Sequence, residues 1–220
     1  MFDLDYTTCG VTIRSENAAK PYTMPSVYLS EYIKGMKGMG DALDFGCGKL
    51  RYSNVLVGKF NAVTFLDSEK QLNRLQMVRG VKTTVSDYIN INYVGCNSIS
   101  FEKINDIDKK YDFILCSNVL SAIPCKSTID SVISSFALLL KSNGRALIVN
   151  QYKSSYFKRY EGGVKHLYGY VYKNSKSASY YGILDEKSVR QLCLDNGLAI
   201  INSWSREGSS YVEVGVKGTD

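Results

Sequence analysis

Between Ala42 and Asn150 the chain alternates short apolar runs with stretches of helical period. Ala42 to Phe45, Ala62 to Leu66, Thr83 to Val85, Phe113 to Ser117 and Ala146 to Asn150 read as strands. Tyr52 to Val57, Glu69 to Met77 and Ser127 to Lys141 read as helices between them. Strands with no polar face must be covered on both sides, which calls for a parallel sheet flanked by helices. The Ser127 helix is the clearest. Ile129, Val132, Ile133, Phe136 and Leu140 form one stripe, and Ser127 and Asp130 stand in capping-box positions. The turn Ser142-Asn-Gly144 precedes the fifth strand. Upstream, a helix is expected from Pro25, capped by Thr23, with Leu29, Tyr32, Ile33 and Met36 on one face. The first 24 residues show no period. Downstream, a helix over Glu186 to Asn196 ends at Gly197, followed by strands at Ala199 to Ser203 and Tyr211 to Val216. Their connection is too short for a crossover helix, so these two strands should pair antiparallel.

At 220 residues the chain is long enough for one substantial core and too short for two ordinary domains. No apolar run approaches the roughly 20 residues that span a bilayer. The N-terminus MFDLDYTTCG lacks the basic and apolar regions of a secretory signal. A cytoplasmic protein without membrane partners is therefore expected. The cysteines, at 9, 47, 96, 116, 125 and 193, form no CxxC pair, and there is one histidine, so no metal site is expected. They read as mostly buried, reduced thiols. The net charge of +6 permits a phosphate-bearing partner without demanding one.

The first strand closes on Leu43-Asp44-Phe45-Gly46-Cys47-Gly48. Glycines there let a ligand approach the backbone, at the carboxyl end of the strands where ligands bind in such sheets. A dinucleotide fingerprint would place a third glycine at position 51, which is Arg51. Asp44 would repel a pyrophosphate and suits a cationic amino group. Asp67 ends the second strand, where a ribose-binding carboxylate belongs. Asp87, after the third, could accept a hydrogen bond from an exocyclic amine. Helix capping is the ordinary alternative for Asp67, and a plain loop acid for Asp87.

In order and spacing the stretch from Asp41 to Asn150 resembles the class I S-adenosylmethionine-dependent methyltransferase superfamily. ALDFGCGKL is similar to its first motif, VTFLDSEKQL to its second, VSDY to its third and YDFILCSNVLSAIP to its fourth. ALLLKSNGRALIVN is similar to the helix-turn-strand that follows. Leu50 departs from the family, which commonly has a further glycine there. The resemblance implies an α/β fold, a Rossmann-like doubly wound seven-stranded mixed sheet with the last strand antiparallel. It implies S-adenosyl-L-methionine as cofactor. Asp44, Gly46, Cys47 and Gly48 would contact its methionine portion, Asp67 and Ser68 the ribose, and Asp87 and Tyr88 the adenine. Ser117, Asn118 and Val119 would line the floor beneath the sulfonium.

The expected organisation is one domain: an N-terminal helical cover (1–40), a cofactor-binding core (41–150), an acceptor-side insertion (151–181) and a C-terminal helix with two strands (182–220). The insertion carries eight tyrosines, and six lysines and arginines against one glutamate, most of the chain's net charge. Tyr168, Tyr170 and Tyr172 alternate in strand fashion, which fits a half-buried strand pair. The same composition fits a lid over a small acceptor or a base-stacking platform. His166 is the candidate base, because its ordinary pKa is near neutrality, and Tyr22 the candidate acceptor-side residue. A methyltransferase acting on an O or N nucleophile of a small-molecule acceptor is the leading expectation. A nucleic-acid acceptor, RNA above all, bound through the basic Tyr-rich segment, and a non-catalytic partner subunit of the same fold are the alternatives.

Overall fold

The structure, a computed structural model, describes residues 5–20, 22, 25–38, 40–173 and 177–218. A hairpin of β1 (Asp5–Thr8) and β2 (Val11–Arg14) leads through a 3-10 turn, Ser15–Ala18, to α1 (Val27–Gly35). The alternating part follows as β3 (Asp41–Phe45), α2 (Ser53–Val57), β4 (Ala62–Asp67) and α3 (Glu69–Asn73). A second hairpin, β5 (Gln76–Val78) and β6 (Val81–Thr83), precedes α4 (Val85–Asn92) and β7 (Asn97–Ser100). Then come β8 (Tyr111–Ser117), α5 (Lys126–Leu139) and β9 (Leu140–Gln151). The chain ends with β10 (Val164–His166), β11 (Gly169–Lys173), β12 (Ala178–Gly182), α6 (Glu186–Asp195), β13 (Leu198–Arg206) and β14 (Ser209–Val216).

The large sheet has seven strands in the order β13-β14-β9-β8-β3-β4-β7. The strands from β9 to β7 are parallel, and β14 runs antiparallel to both β9 and β13. This is the Rossmann-like doubly wound mixed sheet expected from the sequence. One face buries Leu43, Phe45, Ile114 and Ile148 against Ile133 and Phe136 of α5 and Val189 of α6. Phe136 meets Phe45 edge-on at 5.3 Å. The other face buries Ala42, Phe65, Leu115 and Leu147 under α1, α2 and α4, through Leu29, Leu56 and Ile89.

The third strand of the sheet is not Thr83 to Val85. Thr84 caps α4: its hydroxyl accepts from the Asp87 amide at 3.0 Å and donates to Asp87 Oδ2 at 2.7 Å. The true third strand, β7, is the polar edge strand Asn97–Ser100, which needs no apolar run because only β4 flanks it. The helix from Glu69 stops at Asn73, and its expected last turn is already strand β5. For α1 the cap is Ser26, whose hydroxyl accepts from Leu29 N; Thr23 lies outside the described residues. The expected Ser127 cap is also displaced, because α5 begins at Lys126 after Cys125. Asp130 instead pairs with Lys126 at 2.7 Å. Ser142-Asn-Gly144 forms an irregularity within the long β9 rather than a turn before it.

Residues 1–40 are not a purely helical cover. β1 and β2 join three strands of the Tyr-rich segment in a second sheet, ordered β1-β2-β12-β11-β10. Tyr6, Ile13, Val171 and Tyr180 from this sheet pack into the same cluster as α5. Tyr168, Tyr170 and Tyr172 are half-buried, whereas Lys153, Lys158, Lys165 and Lys173 are exposed. The side chain of Arg159, and Lys176, lie outside the described residues. All six cysteines are free, but only Cys47, Cys116 and Cys193 are buried. No helix among the described residues is long and apolar enough to cross a membrane.

The cap has a direct consequence. Thr84→Ala and Asp87→Ala should each lower stability by about 1 kcal/mol in urea titrations, the ordinary cost of losing a helix cap. Unchanged or increased stability of Asp87→Ala would show that this carboxylate is held for another purpose.

Candidate functional site

From β3 the chain runs outward through β4 to β7, then returns to the far side of β3 as β8. The connections on either side of that reversal diverge and leave a crevice beyond the strand tips. The crevice here encloses about 1000 Å³, its mouth included. Its walls are the turn after β3, the tip of β4, and Ser117 at the end of β8 with Asn118 and Val119 after it; Ser15 to Lys20 lie across it as a roof.

The turn is folded back onto β4. Gly46 N and Cys47 N both donate to Leu66 O, at 2.7 and 3.0 Å. Gly48 N donates to Asp67 Oδ2 at 2.8 Å, Ser68 N donates to Asp67 Oδ1 at 2.8 Å, and Gln71 Nε2 donates to Gly48 O at 2.6 Å. Gly46 and Gly48 have φ of +75° and +56°, and a Cβ at Gly46 would overlap Val119. Leu50 holds the same left-handed conformation at φ +62° while its side chain is fully buried. It therefore keeps a glycine-like backbone without being glycine. Because three successive turn amides are spent internally, the turn cannot cradle a phosphate as open glycine loops do.

Two carboxylates face this space from below. Asp44 is buried, and its carboxyl has no hydrogen-bond partner among the described residues. Burial, and then the nearby Asp67 charge, push its pKa up to about 7. Burial pushes Asp67 to about 6, against the opposing pull of the Gly48 and Ser68 amides. Each Asp67 oxygen keeps a lone pair for a further donor. Burial also raises the Cys47 thiol well above its ordinary value, so it carries no thiolate nucleophile. The roof is fastened to α3 and the residue after it: Lys70 Nζ lies 2.7 Å from the Glu16 carboxylate, and Arg74 Nη2 donates to Glu16 O at 2.8 Å.

Of the residues expected at the site, Asp44, Gly46, Cys47, Gly48, Asp67, Ser68, Ser117 and Asn118 line this one cleft. Asn118, at φ +59°, ties β8 to β9: its amide donates to Val149 O at 2.7 Å, and its Oδ1 accepts from Gln151 N at 2.9 Å. Asp87 and Tyr88 sit on α4, away from it. Tyr22 lies under the Arg79 guanidinium, 4.8 Å from ring centre, against the β5–β6 hairpin. His166 lines a separate groove with Tyr6 and Cys125. Its Nε2 is 2.8 Å from Pro124 O, and since a carbonyl only accepts, Nε2 carries the proton there and is not free as a base. The sequence reading missed Glu16, Lys20, Gln71 and Phe101, which also line the cleft. Phe101 follows directly on β7, so locating the true third strand would have found it.

Residues 14–183 match the family described as "Tellurite resistance protein TehB". The chain is 62% identical over 212 residues, 96% of each chain, to a protein of Escherichia coli (strain K12) described as "Uncharacterized protein YmfD". Among solved structures, the PH0226 protein from Pyrococcus horikoshii aligns with a TM-score of 0.61 at 15% identity, covering 91% of this chain and 95% of that one. An S-adenosylmethionine-dependent methyltransferase from Clostridium acetobutylicum aligns at 0.59 and 13% identity, covering 82% and 85%. A structure described as a DhpI-SAH complex aligns at 0.59 and 13%, covering 84% and 80%. The fold is that of class I methyltransferases, and the chain belongs to the TehB family.

Proposed function

We propose that this protein transfers a methyl group from S-adenosylmethionine to an oxygen or nitrogen of a small-molecule acceptor. The observation that carries the reading is the pair of carboxylates, buried Asp44 and half-buried Asp67, beneath a glycine turn whose amides are already spent. Such a site rejects phosphate and favours a ligand bearing cations and a diol. The adenosyl amino acid has an ammonium, a sulfonium, a ribose diol and no phosphate, so the residues present fit it. Asp44 would hold the ammonium, and Asp67 would accept from the ribose hydroxyls with its remaining lone pairs. Phe101, at the tip of β7, offers an apolar face for the base.

When bound, the sulfonium supplies an already activated methyl group. What remains for the protein is position and exclusion of water. The roof Ser15 to Lys20, fastened by Lys70 and Arg74, limits access from solvent, which favours a small acceptor over a polymer. Asn118 holds the tips of β8 and β9 at the floor where the acceptor must approach. The exposed lysines of the second sheet favour the alternative, a nucleic acid. Such binding would weaken steeply with salt, and a flat salt dependence argues for the small molecule.

Isothermal calorimetry with S-adenosylhomocysteine is the primary test. Binding is expected, and no heat at millimolar ligand would contradict the proposal. Asp67→Asn should weaken it about tenfold, the worth of one charge-assisted hydrogen bond. Gly46→Ala should abolish binding, since the new Cβ meets Val119 and the backbone conformation is strained.

The pH dependence follows from Asp44. Its carboxyl is neutral below about 7 and ionised above. A bound ammonium favours the ionised form, so affinity should rise with pH and level off above that value. Asp44→Asn should remove the part of the rise centred near 7 and leave only that centred near 6, where Asp67 ionises; a rise still centred near 7 in that variant would remove Asp44 from the ammonium site.

A further inference from the structure

Methyl transfer to a hydroxyl or an N–H leaves a proton that some group must take. Most titratable side chains of the cleft are committed elsewhere. Glu16 is paired to Lys70 at 2.7 Å. Asp67 accepts from the Gly48 and Ser68 amides, and Asp44 is buried under the turn. Burial keeps the Cys47 thiol protonated. The Tyr52 hydroxyl accepts from Ser26 N at 3.3 Å. Lys49 and Arg51 follow directly on the glycine turn, beside those carboxylates. A guanidinium does not give up its proton in proteins, and that of Arg51 lies 5.5 Å from the centre of the Tyr52 ring.

Lys20 is held apart from them. It ends the roof, and its Nζ donates to Gln151 Oε1 at 3.0 Å. Gln151 is the last residue of β9, which lies two strands from β3 and three from β4. At the ordinary spacing of strands this anchor is about 10 Å from the tip of β3 and about 14 Å from that of β4. The floor residue Asn118 adjoins it, its Oδ1 accepting from Gln151 N at 2.9 Å, and the Gln151 carbonyl accepts from the Tyr181 hydroxyl. Among the described residues, no carboxylate lies within ion-pairing distance of Lys20. Burial, and then the charge of Arg51, hold its ammonium below the ordinary pKa. A neutral amine here keeps one N–H for Gln151 Oε1 and has its lone pair left for another partner.

We infer that Lys20 takes the proton that the methyl acceptor loses. This rests on the proposed function and supplies that reaction with its base. The Nζ lone pair takes the proton while the acceptor's oxygen or nitrogen bonds to the methyl carbon. The carbon–sulfur bond breaks and leaves its electron pair on sulfur, so one positive charge passes from sulfur to the Lys20 nitrogen and the step balances. The same exchange of charge times the base. Lys20 sheds its proton more readily beside a sulfonium and keeps it more readily beside a neutral thioether. It is therefore ready as a base before transfer and holds the proton afterwards.

The test is competitive labelling of lysines with trace acetic anhydride against pH, read by peptide mass spectrometry on the full chain. It is run on the free protein and on protein saturated with S-adenosylmethionine or S-adenosylhomocysteine. In the free protein the labelling midpoint of Lys20 should lie below that of the exposed Lys37. At a given pH below the midpoint, the neutral fraction of Lys20 should be about tenfold larger with S-adenosylmethionine than with S-adenosylhomocysteine, since the two differ by one positive charge. Lys20→Arg keeps the charge but cannot give up the proton, and it should bind S-adenosylhomocysteine within a small factor of wild type by calorimetry. A Lys20 midpoint equal to that of Lys37, or the same in the two complexes, overturns the inference. So does a midpoint raised by both ligands, or a large loss of affinity in Lys20→Arg, either of which gives Lys20 to the cofactor's carboxylate. Calorimetry separates the two failures. No heat with either ligand refutes the proposed function and this step with it, whereas heat with both and an unmoved midpoint refutes the step alone.

Discussion

Four hydrogen bonds fasten the glycine turn to the tip of β4 and to α3. Leu66 O takes two turn amides, Asp67 Oδ2 takes the Gly48 amide, and Gln71 reaches back to Gly48 O. They fix left-handed backbone at Gly46 and Gly48, and Leu50 follows in the same conformation despite its side chain. Were the turn free to open, its amides would form an anion site and Asp44 would be exposed to water. With the turn closed, the anion site is gone and the acid is trapped under it. The same contacts thus decide both the shape of the cleft and the charge of what can enter.

That arrangement carries an electrostatic cost in the free protein. Asp44 and Asp67 have folded-state pKa values of about 7 and about 6, above the ordinary 3.8. A carboxyl raised in the folded state stabilises it most below the unfolded pKa, and that contribution is lost as pH rises through the folded value. Near neutral pH the free protein is therefore held short of its greatest stability, and a cationic ligand would restore part of the difference.

Much of this was legible in the sequence, because parallel strands buried on both faces leave an apolar signature that edge strands do not. β3, β4, β8 and β9 were found for that reason, and so was the turn that follows β3. β7 was missed because Asn97–Ser100 is polar and sits at the edge. Thr83 to Val85 took its place on β-branched composition, although Thr84 and Asp87 spell a capping box. Misplacing that strand misplaced Asp87 and Tyr88 and hid Phe101. The second sheet was only half legible. The alternating tyrosines announced strands, but the pairing of β12 with β2, Ala178 opposite Ile13, joins the two ends of the chain. No local pattern encodes it. Lys20 and Glu16 were invisible for the same reason, since only tertiary packing lays Ser15 to Lys20 across the cleft.

The central claim is that an ionisable acid without a partner waits beneath the glycine turn for a ligand's cation. Carbon-13 NMR of the Asp44 carboxyl reads it directly, assigned by comparison with Asp44→Asn. In the free protein the signal should titrate near 7 and move well downward when S-adenosylhomocysteine is added. Titration near 4 in the free protein, or a midpoint indifferent to the ligand, would contradict the account.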